Sequence, residues 1–171
     1  VRALRCAFPE SRIGYLCNRR TERILQGNPY LDELFIYEKD ELVALWQRSP
    51  WRGLTSLLAL LGRIRRSRFT LIVDVSLGER YAFVLKWLGI RRRVGFDYRN
   101  RGRFLTERLP IDGYHDTHVV EYYRQLAHFM GIKILDASLQ LRVSDEDERW
   151  TDHWMQARGL HRAPLVVGIV P

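Results

Sequence analysis

The chain has 171 residues, 46% of them hydrophobic and 28% charged, which is enough apolar content for a packed core and excludes a disordered chain. Its net charge of +8, carried mainly by arginine, points either to an anionic partner (a phosphorylated sugar, an anionic lipid surface or a nucleic acid) or to a solvated basic face. No run approaches the ~20 apolar residues that span a bilayer, and Cys6 and Cys17 are spaced neither as a CxxC pair nor as a zinc set, so both read as small buried apolar residues.

Residues 1–8 read as the end of a helix, stopped by Pro9. Residues 12–17 predict a short strand. Thr21 is the expected cap of a helix over 22–26, closed by Gly27, and Asn28-Pro29-Tyr30 is a turn. Residues 34–37 predict a second strand. Leu42, Leu45 and Trp46 suggest a short helix that breaks at Ser49-Pro50. Trp51, Leu54, Leu57, Leu58, Leu61 and Ile64 then keep helical spacing, and Arg65, Arg66 and Arg68 suit the C-terminal end of that helix's dipole.

The next stretch carries the strongest fold signal. Residues 69–75 are apolar and rich in β-branched side chains, and Asp74, Ser76 and Gly78 supply a turn. Residues 79–88 predict a helix stopped by Gly89, and 93–96 a further strand. A crossover of this length favours a parallel sheet, in which ligands bind beyond the carboxyl ends of the strands. Asp74, Ser76, Glu79 and Arg80 fall at that edge.

Residues 97–116 read as a long loop with a short extended piece near Leu109. Asp116 or Thr117 is the expected cap of a helix over 118–130, with Val119, Tyr123, Leu126 and Met130 facing inward. A short extended segment at 139–143 follows. Ser144 opens another helix, with Asp145, Glu146 and Asp147 in its first turn and Trp150, Trp154 and Ala157 on its apolar side. Residues 165–170 predict a last strand. The five tryptophans read as core packing. The alternation of β and α gives an α/β class with a mainly parallel sheet.

Taken in order, RALRCAFPESRIGYL, LQGNPYLDELFIY, RSRFTLIVDVSLGERYAFVLKWLGIRRRVGFD, HVVEYYRQLAHFMGI and APLVVGIVP resemble glycosyltransferase family 9, the ADP-heptose:lipopolysaccharide heptosyltransferases. The resemblance implies the amino-terminal, Rossmann-like half of a GT-B fold. It places the acceptor-binding domain at 1–163, and at 164–171 a linker and first strand leading to a nucleotide-sugar-binding domain. It implies metal-independent, inverting transfer of heptose from ADP-heptose to the lipopolysaccharide inner core, in the cytoplasm against the anionic inner membrane, with no cofactor. The family's general-base aspartate follows a first strand, and that segment and the donor domain are expected outside these residues. The fragment alone is then expected to be inactive, and strand 69–75 to lack one neighbour. At 76–78 the chain reads Ser-Leu-Gly where the family often has Gln-Gly.

The acceptor-binding candidates are Arg80, Asp74, Glu79, Arg99, His118 and Glu121. Asp74 can accept from a sugar hydroxyl or serve only as a turn or helix cap. Arg80 matches a basic family position, where a guanidinium can grip a carboxylate or phosphate, or it can be a plain surface arginine. Arg99, with Arg101 and Arg103, can clamp an anionic acceptor, touch the membrane or be solvated. His118 and Glu121 lie one turn apart, so they can orient each other, contact the acceptor or merely pack. Asp112, His115, Asp116 and His118 match no metal motif, and no metal is expected. The alternatives are a family member using another sugar donor and a basic Rossmann-like module for nucleic acid. The chain has no nucleic-acid motif, and no such partner is expected.

Overall fold

The structure, a computed structural model, describes all residues except 78–83, 85, 135, 137 and 168–171. The chain divides into two compact units, Val1–Ser138 and Leu139–Pro171.

The first unit runs α1 (Arg2–Ala7), β1 (Gly14–Cys17), α2 (Arg19–Leu25), β2 (Glu33–Ile36), α3 (Lys39–Arg48), α4 (Pro50–Arg66), β3 (Leu71–Asp74), β4 (Arg92–Tyr98), β5 (Glu107–Ile111) and α5 (Val119–Phe129). Every strand pairing is parallel. β1 and β2 form one sheet, and β3, β4 and β5, in that order, form another. Among the described residues β3 pairs only with β4.

The period of two along β3 sets the layers. Ile72 packs against Phe35, Ile64, Leu88 and Ile90, a cluster to which α4 contributes. Leu71 and Val73 pack on the other side, with Val94, Phe96, Tyr122 and Leu126. The three-stranded sheet is thus covered on both faces, as a parallel sheet must be. Gly95 sits opposite Asp74 in the ladder, and a Cβ there would come within 2.5 Å of the Asp74 carbonyl oxygen. Gly53 plays a similar part between α3 and α4, where a Cβ would meet the Trp46 indole at 2.8 Å.

Helix ends follow side-chain chemistry. Pro50 opens α4, where its fixed φ costs nothing, and Arg63, Arg65 and Arg66 occupy the last turn. The cap of α2 is Asn18, whose side chain accepts from the Thr21 N–H at 2.9 Å, and not Thr21 itself. β1 ends at Cys17, and the helix starts three residues sooner than its composition suggests. The cap of α5 is likewise His118, in place of Asp116 or Thr117. On α5 it is Tyr122 that is buried, while Tyr123, expected to face inward, is exposed. Asp32 accepts from the Ile13 N–H at 2.6 Å and from Arg5 at 2.5 Å, and Arg5 also donates to the Pro9 and Ser11 carbonyls. These bonds pin α1 to the start of β1, and the Ile13 N–H first, then Arg5, hold the Asp32 carboxyl below its usual range.

The region expected as a long loop contains β5. Pro110 is tolerated because β5 is an edge strand. The connection from β4 occupies only residues 99–106. Arg99 and Asn100 both adopt left-handed φ (50° and 59°), and the Arg101 N–H donates to the Tyr98 carbonyl at 3.0 Å. Asp97 accepts from the Gly102 N–H, and the Thr106 N–H returns to the Arg93 carbonyl. The helix expected over 79–88 falls mainly outside the described residues, within which Val84, Lys86 and Trp87 are helical.

The second unit holds α6 (Asp145–Ala157), capped by Ser144, whose hydroxyl accepts from the Asp147 N–H at 3.1 Å. Gly159, left-handed at φ 69°, ends it, and a 3-10 turn follows at Leu160–Arg162. Trp150 and Trp154 stack on each other at 6.4 Å, and the Arg158 guanidinium lies 4.1 Å from the Trp154 ring. No described residue of this unit is buried.

Three further expectations are corrected. All five tryptophans are exposed, by 37% to 77%, and do not form the core. Their helical spacing marks an apolar face without saying that anything covers it. Cys17 is buried but Cys6 is exposed, because α1 buries none of its residues. Residues 165–167 form no strand, since among the described residues no strand lies beside them to complete a ladder.

Candidate functional site

Parallel strands all end at one edge, so the residues that follow β3, β4 and β5 converge there. Asp74 is the last residue of β3. Its side chain accepts from the Ser76 N–H at 2.9 Å, and burial pushes its carboxyl above the usual range in spite of that bond. Tyr114 follows β5 and donates its hydroxyl to the Val75 carbonyl at 2.8 Å. Burial first, then Tyr123 and the charge of Asp74, raise the Tyr114 phenol to about 12. Its ring meets Phe96, Tyr122 and Tyr123 at centroid distances of 5.2–6.2 Å. Tyr15 faces the same group, its phenol raised by burial and by Tyr123.

The turn after β4 adds cations. The Arg99 and Arg101 guanidiniums lie 4.9 and 5.6 Å from the Tyr98 ring centroid. Neither has an acidic partner among the described residues. Two like charges on one ring repel, and consecutive left-handed non-glycine residues cost about 1–2 kcal/mol each, so the turn holds its arginines against local preference. Arg103 stacks on Phe104.

Of the sequence-predicted residues, Asp74 and Arg99 stand at this edge. Glu79 and Arg80 lie outside the described residues. His118 caps α5, its Nδ1 accepting from the Val120 N–H at 3.3 Å, while Glu121 pairs with Arg124 at 3.2 Å. The two therefore have separate partners. Among the described residues no group of three or more histidine, cysteine, aspartate or glutamate side chains is placed to hold a metal ion. No helix among them is long and apolar enough to cross a membrane. Sequence reasoning missed Tyr114 and Tyr98. Their position immediately after, or at the end of, a strand is the available signal, obscured because the composition of 97–116 predicts a loop where β5 stands.

The arrangement can accept a hydrogen bond from a hydroxyl at Asp74, offer aromatic faces at Tyr98 and Tyr123, and bind an anion at Arg99 and Arg101. A parallel sheet wrapped on both faces, with polar groups along its carboxyl edge, is Rossmann-like. No family model matches the chain, and no curated protein matches it by sequence. Solved structures do. The glycosyl transferase family 9 structure from Veillonella parvula is similar over 92% of this chain and 44% of its own, with a TM-score of 0.73 and 18% identity. The ADP-heptose lps heptosyltransferase II of E. coli is similar over 90% of this chain and 44% of its own, with a TM-score of 0.60 and 17% identity. The chain thus has the α/β fold of GT-B glycosyltransferases over the part it matches, and it spans less than half the length of either structure.

Proposed function

We propose that the chain is the amino-terminal, acceptor-holding domain of a family 9 glycosyltransferase of the heptosyltransferase kind. The observation that carries this reading is the fold likeness to the Veillonella parvula structure over 92% of the chain. The carboxyl-edge site is compatible with it: Arg99 and Arg101 suit an acidic saccharide, and Asp74 suits one of its hydroxyls. On this reading the donor is ADP-heptose and the acceptor is the anionic, lipid-linked inner core of lipopolysaccharide. An acceptor hydroxyl, deprotonated by a carboxylate, attacks the anomeric carbon with inversion, and ADP leaves. The deprotonating carboxylate and the donor-binding groups lie beyond these 171 residues. The reaction needs neither metal nor cofactor, and the enzyme works in the cytoplasm, its basic charge favouring an anionic membrane face.

The test is donor turnover by the full-length protein. ADP is released from ADP-heptose only when a lipopolysaccharide-core acceptor is present. Release with UDP-sugars instead moves the protein to another donor class. Arg80→Ala and Arg99→Ala each raise the acceptor KM far more than the donor KM, and equal changes in both would remove those residues from acceptor binding.

A further inference from the structure

A second basic site lies at the carboxyl edge of the other sheet. α2 begins directly after β1, and α3 follows soon after β2, so the starts of these two helices border an open surface cleft of about 520 Å³ lined by Arg19, Arg20, Arg23, Glu38 and Glu41. Arg19 is satisfied within the protein. Its backbone N–H donates to Glu38, and its guanidinium pairs with Glu41 at 3.4 Å. Arg20 and Arg23 have no hydrogen-bond or ion-pair partner among the described residues. Three residues apart on α2, they share one helix face. Arginines at the start of a helix oppose its dipole, so stabilising α2 does not explain Arg19 and Arg20.

We propose that Arg20 and Arg23 bind a single phosphate monoester in this cleft. Each guanidinium presents a planar fork that takes two oxygens. One fork already fills a carboxylate. Two forks from one helix face can together take the three terminal oxygens of a phosphate dianion, whose charge would also relieve the repulsion between the arginines. Glu38 and Glu41 also line the cleft and are engaged by Arg19, so only Arg20 and Arg23 are left to offset a ligand's charge; that suits one phosphate and not the continuous phosphate chain of a nucleic acid. The proposal rests on the acceptor reading only in naming a saccharide as the carrier of the phosphate.

Calorimetric titration of the full chain at low salt with inorganic phosphate, glucose 6-phosphate and glucuronate tests it. Both phosphates bind, and glucuronate binds about tenfold more weakly or not at all. Tighter binding of glucose 6-phosphate than of inorganic phosphate shows that the sugar contributes. Arg20→Gln with Arg23→Gln weakens phosphate binding by about tenfold or more, whereas Arg65→Gln, on α4, leaves it unchanged. An unchanged melting temperature for the double variant certifies its fold. The proposal falls if the double variant binds phosphate like the wild type, if glucuronate matches phosphate, or if neither phosphate binds. Phosphate binding together with a full-length protein that releases ADP from ADP-heptose regardless of acceptor would count against the proposed function and leave this site standing, and acceptor-dependent ADP release by a full-length protein that ignores phosphate would do the reverse.

Discussion

α5 and α6 make an instructive pair. They have 11 and 13 residues, each has a capped N-terminus with acidic residues in its first turn, and each carries aromatic side chains at helical spacing. α5 lies on the three-stranded sheet and buries Tyr122 and Leu126, the latter to 2% exposure. α6 buries nothing, and its two tryptophans stack on each other, with Arg158 over Trp154. Capping and amphipathicity suffice to define a helix. Burial additionally needs a surface of matching shape, which β3, β4 and β5 supply to α5.

That contrast can be broken by mutation. Leu126→Ala should lower unfolding stability by about 3 kcal/mol, by lost transfer energy plus a residual cavity, while Trp150→Ala should stay within about 0.5 kcal/mol in spite of its larger side chain. Equal losses in chemical denaturation would erase the distinction. Gly95→Ala should cost about 2 kcal/mol, because the new methyl meets backbone at Asp74 that cannot swing aside. Ser144→Ala should cost α6 about 1 kcal/mol through its lost cap. Hydrogen exchange should register that loss along α6 and leave α5 protected.

Asp74→Asn is the finest test. Burial raises the Asp74 carboxyl, so the folded state binds the proton more tightly than the unfolded chain does. Wild-type stability is therefore lost as pH rises from the unfolded carboxyl value, about 3.9, through the higher folded one. The asparagine keeps an acceptor for the Ser76 N–H and carries no charge. Its advantage in melting temperature should be absent at lower pH, grow through that window and stay constant above it. A pH-independent difference would mean that the sheet edge is wet.

The parallel unit around β3 was legible because its signals are local: an apolar β-branched run, turn formers and a second strand. Leu126 and Met130 were placed correctly from helical spacing. Two things were not legible. The inward side of α5 depends on the angle at which it meets the sheet, which decided for Tyr122 over Tyr123. β5 was hidden because an eight-residue parallel connection is shorter than such crossovers usually are. It closes only through the left-handed Arg99-Asn100 pair and the Asp97 side chain, neither of which has a compositional signature. The edge site was half legible. Asp74 and Arg99 followed from strand order, but Tyr114 and the Arg20–Arg23 pair needed the third dimension.

β3 has one more consequence, for the behaviour of the molecule in bulk. Leu71, Ile72 and Val73 form a strand with one ladder edge unpaired among the described residues, and no lysine, proline or glycine interrupts it. Such an edge is a template for another polypeptide to add as a strand. At rising concentration the isolated chain should self-associate through β3, with sedimentation shifting from monomer to higher species. Ile72→Lys would blunt the edge but also open the core, so Thr70→Lys, at the flank, is the gentler gatekeeper. In the isolated chain this four-residue edge would act against the solubility that the +8 charge favours.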